Sequence, residues 1–260
     1  MRKPYVLRSE MLACPHGFST RIGGVSEGIF ESLNLGRLDT LGDEPDRVRE
    51  NWRLFGMTVG IDTSRFVHGR QVHGNTVLVA RPGDAHGIAD PSDLEADGYV
   101  TDLPGLPLAV FTADCAPLLL HDPAAGVIAA VHCGWRPTAA DIMKNAISAM
   151  ESLGARPAHI RAAIGPCIRR CCFQTGPEIP EAMEKLLRGG ASDLYAPDPA
   201  APRKFRVDLP GTVARRLTEL GVPAEQIDDL GECTMCRPER FWSHRTMGLS
   251  RGSQASIIML

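Results

Sequence analysis

Three side chains in this sequence have the types a catalytic metal needs: His73, Cys115 and His132. Two imidazoles and one thiolate suit zinc, because three protein ligands leave a fourth position open for water or substrate. The intervening stretches, 41 and then 16 residues, are too long for spacing alone to mark a site. Their placement says more. Asp122-Pro123-Ala124-Ala125-Gly126 has turn chemistry and joins two apolar runs, 117–121 and 126–131, as in a hairpin. The open ends of a hairpin lie side by side, which sets Asp114-Cys115 against His132-Cys133-Gly134-Trp135. His73 also ends a strand-like stretch, before a glycine that permits a tight turn. Without a metal, the same trio reads as two core histidines and a buried thiol.

Two further groups compete with it. Cys233-Thr234-Met235-Cys236 is a CxxC, which suits half of a structural zinc site or a redox pair. Cys167, Cys171 and Cys172 are candidate partner ligands upstream. A thioredoxin-like pair starts a helix, and Arg237-Pro238-Glu239 does not support one there. Thiols of the core or surface, with no chemistry, fit these positions as well. Nearer the N-terminus, Gly23-Gly24 beside Arg21, Ser19 and Ser26 has the makings of an anion nest with a guanidinium clamp. Neither a Walker loop nor a dinucleotide fingerprint is present.

The elements that must position these groups come from an ordinary chain. It has 260 residues, 43% hydrophobic and 23% charged, which excludes disordered, collagen-like and fibrous proteins. That length buries a core without help from disulfides. A net charge of −3 gives no basic surface for nucleic acid. The N-terminal stretch shows no secretory signal, and the apolar stretch 106–120 is interrupted by Asp114 and two prolines, so no membrane span is expected. The expected setting is the cytoplasm, with reduced thiols.

Val48, Trp52 and Phe55 have helical spacing, which predicts a helix over 44–55. Thr138 and Asp141 resemble a capping box ahead of a helix over 139–153, stopped by Gly154. Further helices are expected over 178–187 and 209–220, with Gly189 and Gly221 as stops. Strands are expected at 65–71, 76–80, 98–101, 108–112, 117–121, 126–131, 160–164, 241–245 and 257–260. This mixture implies mixed sheets covered by helices, of α/β or α+β class. The Pro- and Ala-rich segment 196–202 reads as a surface loop, so 1–260 is expected to be one domain.

Several segments are more specific together than apart. They are His16-Gly17-Phe18-Ser19-Thr20-Arg21, Gly23-Gly24, Ser32-Leu33-Asn34-Leu35-Gly36, Gly42-Asp43, Gln71-Val72-His73-Gly74 and Ala96-Asp97-Gly98. Thr112-Ala113-Asp114-Cys115-Ala116-Pro117, His132-Cys133-Gly134-Trp135-Arg136, Ile164-Gly165-Pro166-Cys167-Ile168 and Cys233-Thr234 follow in order. The sequence closely resembles the multicopper polyphenol oxidase, or laccase-domain, family. Members of that family are also described as purine nucleoside phosphorylases and peptidoglycan editing factors. The resemblance runs from about Pro15 to the C-terminal end.

The resemblance implies an α+β, single-domain, four-layer α/β/β/α sandwich with mixed sheets, like that of cytotoxic necrotising factor-type cysteine hydrolases. It implies a zinc site of His73, Cys115 and His132, where copper is an alternative occupant. It further implies phosphorolysis of adenosine, inosine and methylthioadenosine, with adenosine deamination as a second activity. The implied partners are a purine nucleoside and phosphate, without nucleic acid or membrane, and the chain is a monomer or small homo-oligomer. Cys133 and Pro137 depart from the family pattern, which usually has Ala and Gly there. A strand residue beside a ligand points to the opposite face, so Cys133 is expected to turn away. Pro137 suits the early turn of a helix.

Deamination needs an activated water at C6 of adenine and an acid/base group, for which Asp114 is the candidate; it reads equally as a turn carboxylate. Phosphorolysis needs positioning and charge stabilisation. Arg21, with Gly23-Gly24, is the candidate phosphate clamp, and Asn34 and Gln71 are candidates for the nucleoside, each equally readable as a structural hydrogen-bonder. His244 is a further pocket candidate. A laccase needs a trinuclear copper cluster fed by many histidines, commonly in His-x-His pairs. Eight scattered histidines, none two apart, do not provide one. The alternatives are a peptidoglycan precursor editing factor, a metal-independent hydrolase with Cys115 as nucleophile, and a single-copper phenol oxidase.

Overall fold

A computed structural model of the chain describes residues 3–36, 42–90 and 92–260. The expected hairpin forms at its centre. Strands β8 (Ala116–Asp122) and β9 (Val127–Cys133) pair antiparallel, with Pro117 opposite His132 and Asp122 opposite Val127. Every residue in both is buried, as in strands covered on two faces. Asp122 accepts the N–H groups of Ala124, Ala125 and Arg156 and so closes the turn.

Numbered along the chain, strands flank this hairpin in the spatial order β14 (Ile227–Asp229), β10 (Arg161–Ile164), β8, β9, β6 (Gly98–Thr101), β4 (Val77–Val79). The two outermost pairings are parallel and the rest antiparallel. A second sheet has the order β1 (Val6–Leu7), β2 (His16–Ser19), β15 (Gln254–Ile258), β7 (Leu108–Thr112), β3 (Phe66–Val67), β5 (Ala85–His86). A small third sheet joins β11 (Gln174–Thr175), β13 (Phe205–Val207) and β12 (Tyr195–Pro197). The fold is therefore mixed α+β.

The helices are α1 (Pro45–Val59), α2 (Trp135–Ala139), α3 (Ile142–Ser152), α4 (Glu178–Leu186), α5 (Leu209–Glu219) and α6 (His244–Met247). Strand alternation separates the cores. Leu119 and Ala130 face inward between the two large sheets, against Phe18, Leu108, Val110 and Ile258. Leu118, Leu120 and Val131 face outward, against Met143, Ile147 and Met150 of α3 and Leu217 of α5. On the far side, α1 lays Val48, Trp52 and Phe55 on Phe66, Ala109 and Ile257, and Trp52 stacks on Phe66 at 4.2 Å. Each buried Val, Leu, Ile, Phe or Met side chain among these contributes about 1.5–3 kcal/mol.

Several expected elements change. The helix expected over 139–153 is divided, because Asp141 takes the left-handed conformation with φ 61°. No capping box forms: the Asp141 carboxylate pairs with Arg216 at 2.7 Å, and Thr138 Oγ1 finds no hydrogen-bond partner among the described residues. The strand expected at 241–245 is absent, because Ser243 Oγ caps the short helix α6 by accepting from Thr246 N. The first helix extends to Val59, and the segment expected at 65–71 pairs only over Phe66–Val67. Segment 196–202 enters β12 and then turns around Asp198, which binds Gln174, Ala200 and Arg206. Among the described residues, no helix is long and apolar enough to cross a membrane.

Candidate active site

The hairpin's open end brings the candidate ligands together. One ligand atom from each of His73, Cys115 and His132 lies within 4.8 Å of the others. The two imidazole rings meet edge to face, with centroids 4.9 Å apart. His132 is the last residue but one of β9, close to Cys115, while His73 arrives on a separate turn with φ 59°. Asp97, just ahead of β6, holds that turn. Its fully buried carboxylate accepts the N–H groups of Val72, His73 and Gly74 at 3.1, 3.1 and 2.8 Å. The same carboxylate lies 2.7 Å from His132 Nδ1. That bond fixes the imidazole orientation and leaves Nε2 for a ligand role. A single carboxylate therefore positions both histidines.

Gly134 completes the corner. A Cβ there would lie 2.9 Å from Cys115 Sγ and 3.4 Å from His73 Cδ2, so only glycine lets the chain pass this close. Cys133 turns away into the core between sheet and α3, where burial drives its thiol up.

The charges are matched to the geometry. Burial pushes the Cys115 thiol up, but the His132 and His73 imidazoles overcome it and hold the thiol at about 6. Burial pushes His132 down, and Cys115 with Asp97 lifts it to about 9. Burial likewise raises Asp97, yet His132 and the backbone N–H groups bring it below the usual carboxylate range. A thiolate with two imidazoles, one braced by a carboxylate, is a donor set that fits a borderline divalent metal. These residues can hold a metal ion.

The cluster floors a cavity of about 710 Å³. Phe111, Trp135 and Phe173 give it aromatic walls, and Arg70, Arg136, Arg245 and Arg251 bring guanidinium groups. Arg70 is paired with Glu95, Arg136 lies over the Trp135 ring, and Arg245 over Phe173. Arg251 donates through Nη1 to Gly252 O and Ser253 Oγ, while its buried Nε has no partner among the described residues. The buried Thr112 Oγ1 is likewise without one.

Gln71, Asp114 and His244 line this cavity; Arg21 and Asn34 do not. Gln71 exchanges two hydrogen bonds with the Phe111 backbone. Asp114, at φ 89°, accepts from Thr234 Oγ1 at 2.6 Å, Ser243 Oγ at 3.1 Å and Arg245 N at 2.7 Å. It ties the Cys115 turn to the C-terminal segments. Arg21 lies over Trp242 and donates to Glu31 O and Pro238 O. Asn34 is fully buried, bonded to Asp43, Gly36 and Ser253. The Gly23 and Gly24 N–H groups both donate to Ser32 Oγ, so the expected anion nest is filled by the chain itself. Sequence reasoning left Asp97, Thr112, Arg245 and Arg251 unassigned. Asp97 stood in a quoted motif, but nothing local marked its partner.

Two facing sheets in a mixed α+β fold, with a thiolate and two imidazoles at a cavity floor, define the class of protein. Residues 15–260 match the family described as multi-copper polyphenol oxidoreductase laccase, and the chain belongs to that family. It is 36% identical over 249 residues to a Corynebacterium glutamicum protein named purine nucleoside phosphorylase, covering 94% of this chain and 93% of that protein. A Deinococcus radiodurans protein of the same name is 42% identical over 174 residues. That match covers 67% of this chain and 64% of the relative, just under two thirds of its length. A protein named adenosine deaminase RL5, from an unknown prokaryotic organism, is 34% identical over 241 residues, or 90% of each chain. Among solved structures, YlmD from Geobacillus stearothermophilus superposes with a TM-score of 0.89 at 29% identity, covering 98% of this chain and 95% of that one.

Proposed function

We propose that this chain is a zinc-dependent purine nucleoside phosphorylase acting on adenosine, inosine and methylthioadenosine, with adenosine deamination as a second activity. The convergence of His73, Cys115 and His132 beneath a cavity rich in guanidinium and aromatic groups carries this reading. The names of the relatives support it. The helix, two sheets and helix stacked in succession support a four-layer sandwich of the cytotoxic necrotising factor type, as one domain. Eight free thiols favour the cytoplasm.

A zinc ion held by the two imidazoles and the thiolate supplies Lewis acidity, and copper is the alternative occupant. The remaining work falls to the chain. Arg251, with its uncommitted Nε, and Arg245, which lines the same cavity, hold phosphate through charge-assisted hydrogen bonds. Phe111, Trp135 and Phe173 cover the purine and exclude water. Gln71 keeps one N–H and one lone pair for the nucleoside beyond its two bonds to Phe111. Asp114 mainly fixes the Cys115 turn, and its remaining lone-pair capacity can hold a proton at Oδ1.

The test is zinc analysis with an assay of inosine and phosphate. Ribose 1-phosphate forms with the wild type and is lost, by more than about a hundredfold, in Cys115→Ala and His132→Ala with the fold intact by circular dichroism. Unchanged turnover in those variants rejects the reading. The hydrogen-bonded series Asp97, His132, Cys115 favours a second reading, a thiol hydrolase. Such an enzyme keeps its activity after chelation and loses it on alkylation.

A further inference from the structure

Away from the cavity floor, four cysteines from two distant loops meet at one point. Cys171 and Cys172 follow β10, and Cys233 and Cys236 form the CxxC after β14. All four sulfurs lie within 4.8 Å of one another. Cys236 Sγ is 3.5 Å from Cys171 Sγ and 3.4 Å from Cys172 Sγ. All four are free thiols. A disulfide requires about 2.05 Å between sulfurs. Four sulfurs placed tetrahedrally about 2.3 Å from one zinc stand about 3.8 Å apart, close to what is seen.

The backbone aligns the two loops before any ligand is considered. Cys167 and Cys233 form a parallel bridge, with Cys167 N donating to Glu232 O and Thr234 N to Cys167 O. Arg169 clamps Asp229 with two bonds of 2.6 and 2.8 Å. Cys167 itself is buried in the core and stays outside the cluster. Cys171 and Cys236 are exposed, which leaves an ion a way in.

We propose that Cys171, Cys172, Cys233 and Cys236 bind one zinc ion as a four-thiolate structural site, separate from the His73, Cys115 and His132 set. Four protein ligands leave no open coordination position, so this ion holds structure and does no chemistry. Binding forms four zinc–sulfur bonds and releases the thiol protons to solvent, with no change of oxidation state. The ion joins the loop carrying the cavity residues Ile168 and Phe173 to the loop carrying Thr234, which holds Asp114. It braces one wall of the cavity from behind.

The test uses His73→Ala/Cys115→Ala, which removes the first ligand set, analysed for metal after equilibration with zinc. One zinc per chain remains, and it is lost when Cys172→Ser and Cys236→Ser are added. Cobalt loading of the unmutated chain gives a second measure that needs no variant to fold. Its thiolate-to-cobalt charge-transfer band has the intensity of five thiolates, four from this cluster and one from Cys115. Intensity for one thiolate overturns the proposal. So does a folded double variant without zinc, iron with inorganic sulfide in its place, or a mass lower by two hydrogens from a disulfide within the cluster.

Discussion

Cys115 sits among imidazoles at the bottom of a cavity, whereas Cys171, Cys172, Cys233 and Cys236 sit among one another near the surface. The first thiol is held at about 6 by His132 and His73 against its burial. Burial and then neighbouring sulfurs push Cys171 up to about 11. The same side chain thus becomes an anion in the cavity, whereas in the cluster Cys171 stays protonated and Cys233, against its burial, is drawn below its usual value by the backbone of Cys236 and Arg169 and by the neighbouring thiols. Unlike donors, braced by Asp97, face an open cavity; like donors face one another and leave no cavity between them.

Breaking the brace should have the largest effect on this contrast. Asp97→Asn removes the negative charge behind His132 and weakens the acceptor for three N–H groups. Metal affinity at the cavity, measured against a competing chelator, should fall about 10- to 100-fold, with zinc in the cysteine cluster unaffected. Equal losses at both places would erase the distinction.

Thiol reactivity measures the contrast directly. In metal-stripped protein at pH 7, Cys115 lies above its pKa and is mostly thiolate, while Cys171 lies far below its own and is almost wholly thiol. Alkylation mapped by peptide mass spectrometry should therefore mark Cys115 at least about tenfold faster, even after allowing for the weaker nucleophilicity of a low-pKa thiolate. The margin should be widest at and below pH 6 and should close at about pH 9, where the greater nucleophilicity of the Cys171 thiolate makes up for its scarcity. A faster Cys171 at pH 7, which is the more exposed thiol, would contradict it. The smallest effect belongs to Arg21→Lys, which gives up contacts to Glu31 O and the Trp242 face. It should cost about 1 kcal/mol in thermal unfolding and leave turnover near wild type. A collapse of kcat/KM would return Arg21 to the substrate.

The hairpin was legible because apolar runs flank a turn, and its open end delivered Cys115 and His132 without knowledge of the rest. His73 was legible only as a strand-end histidine with a glycine after it. Asp97 was not, because its role depends on β6 pairing with β9 so that Gly98 meets Val131. Arg21 and Asn34 have the right chemistry for ligands, but backbone groups, with Trp242 for the one and Asp43 for the other, occupy them, which residue type does not reveal. Cys167 looked equivalent to Cys171 and Cys172, yet its bridge to Cys233 leaves it in the core. Arg245 and Arg251 lie on C-terminal segments shaped by contacts to Asp114 and Ser253, where no periodicity operates.

His73, Cys115, His132 and Asp97 all fall between positions 73 and 132, whereas Ile168, Phe173, Arg245 and Arg251 enter the cavity from elsewhere in the chain. The two sets can therefore vary independently over evolutionary time. A substitution in one of those loops can change what the cavity admits and leave the donor atoms in place.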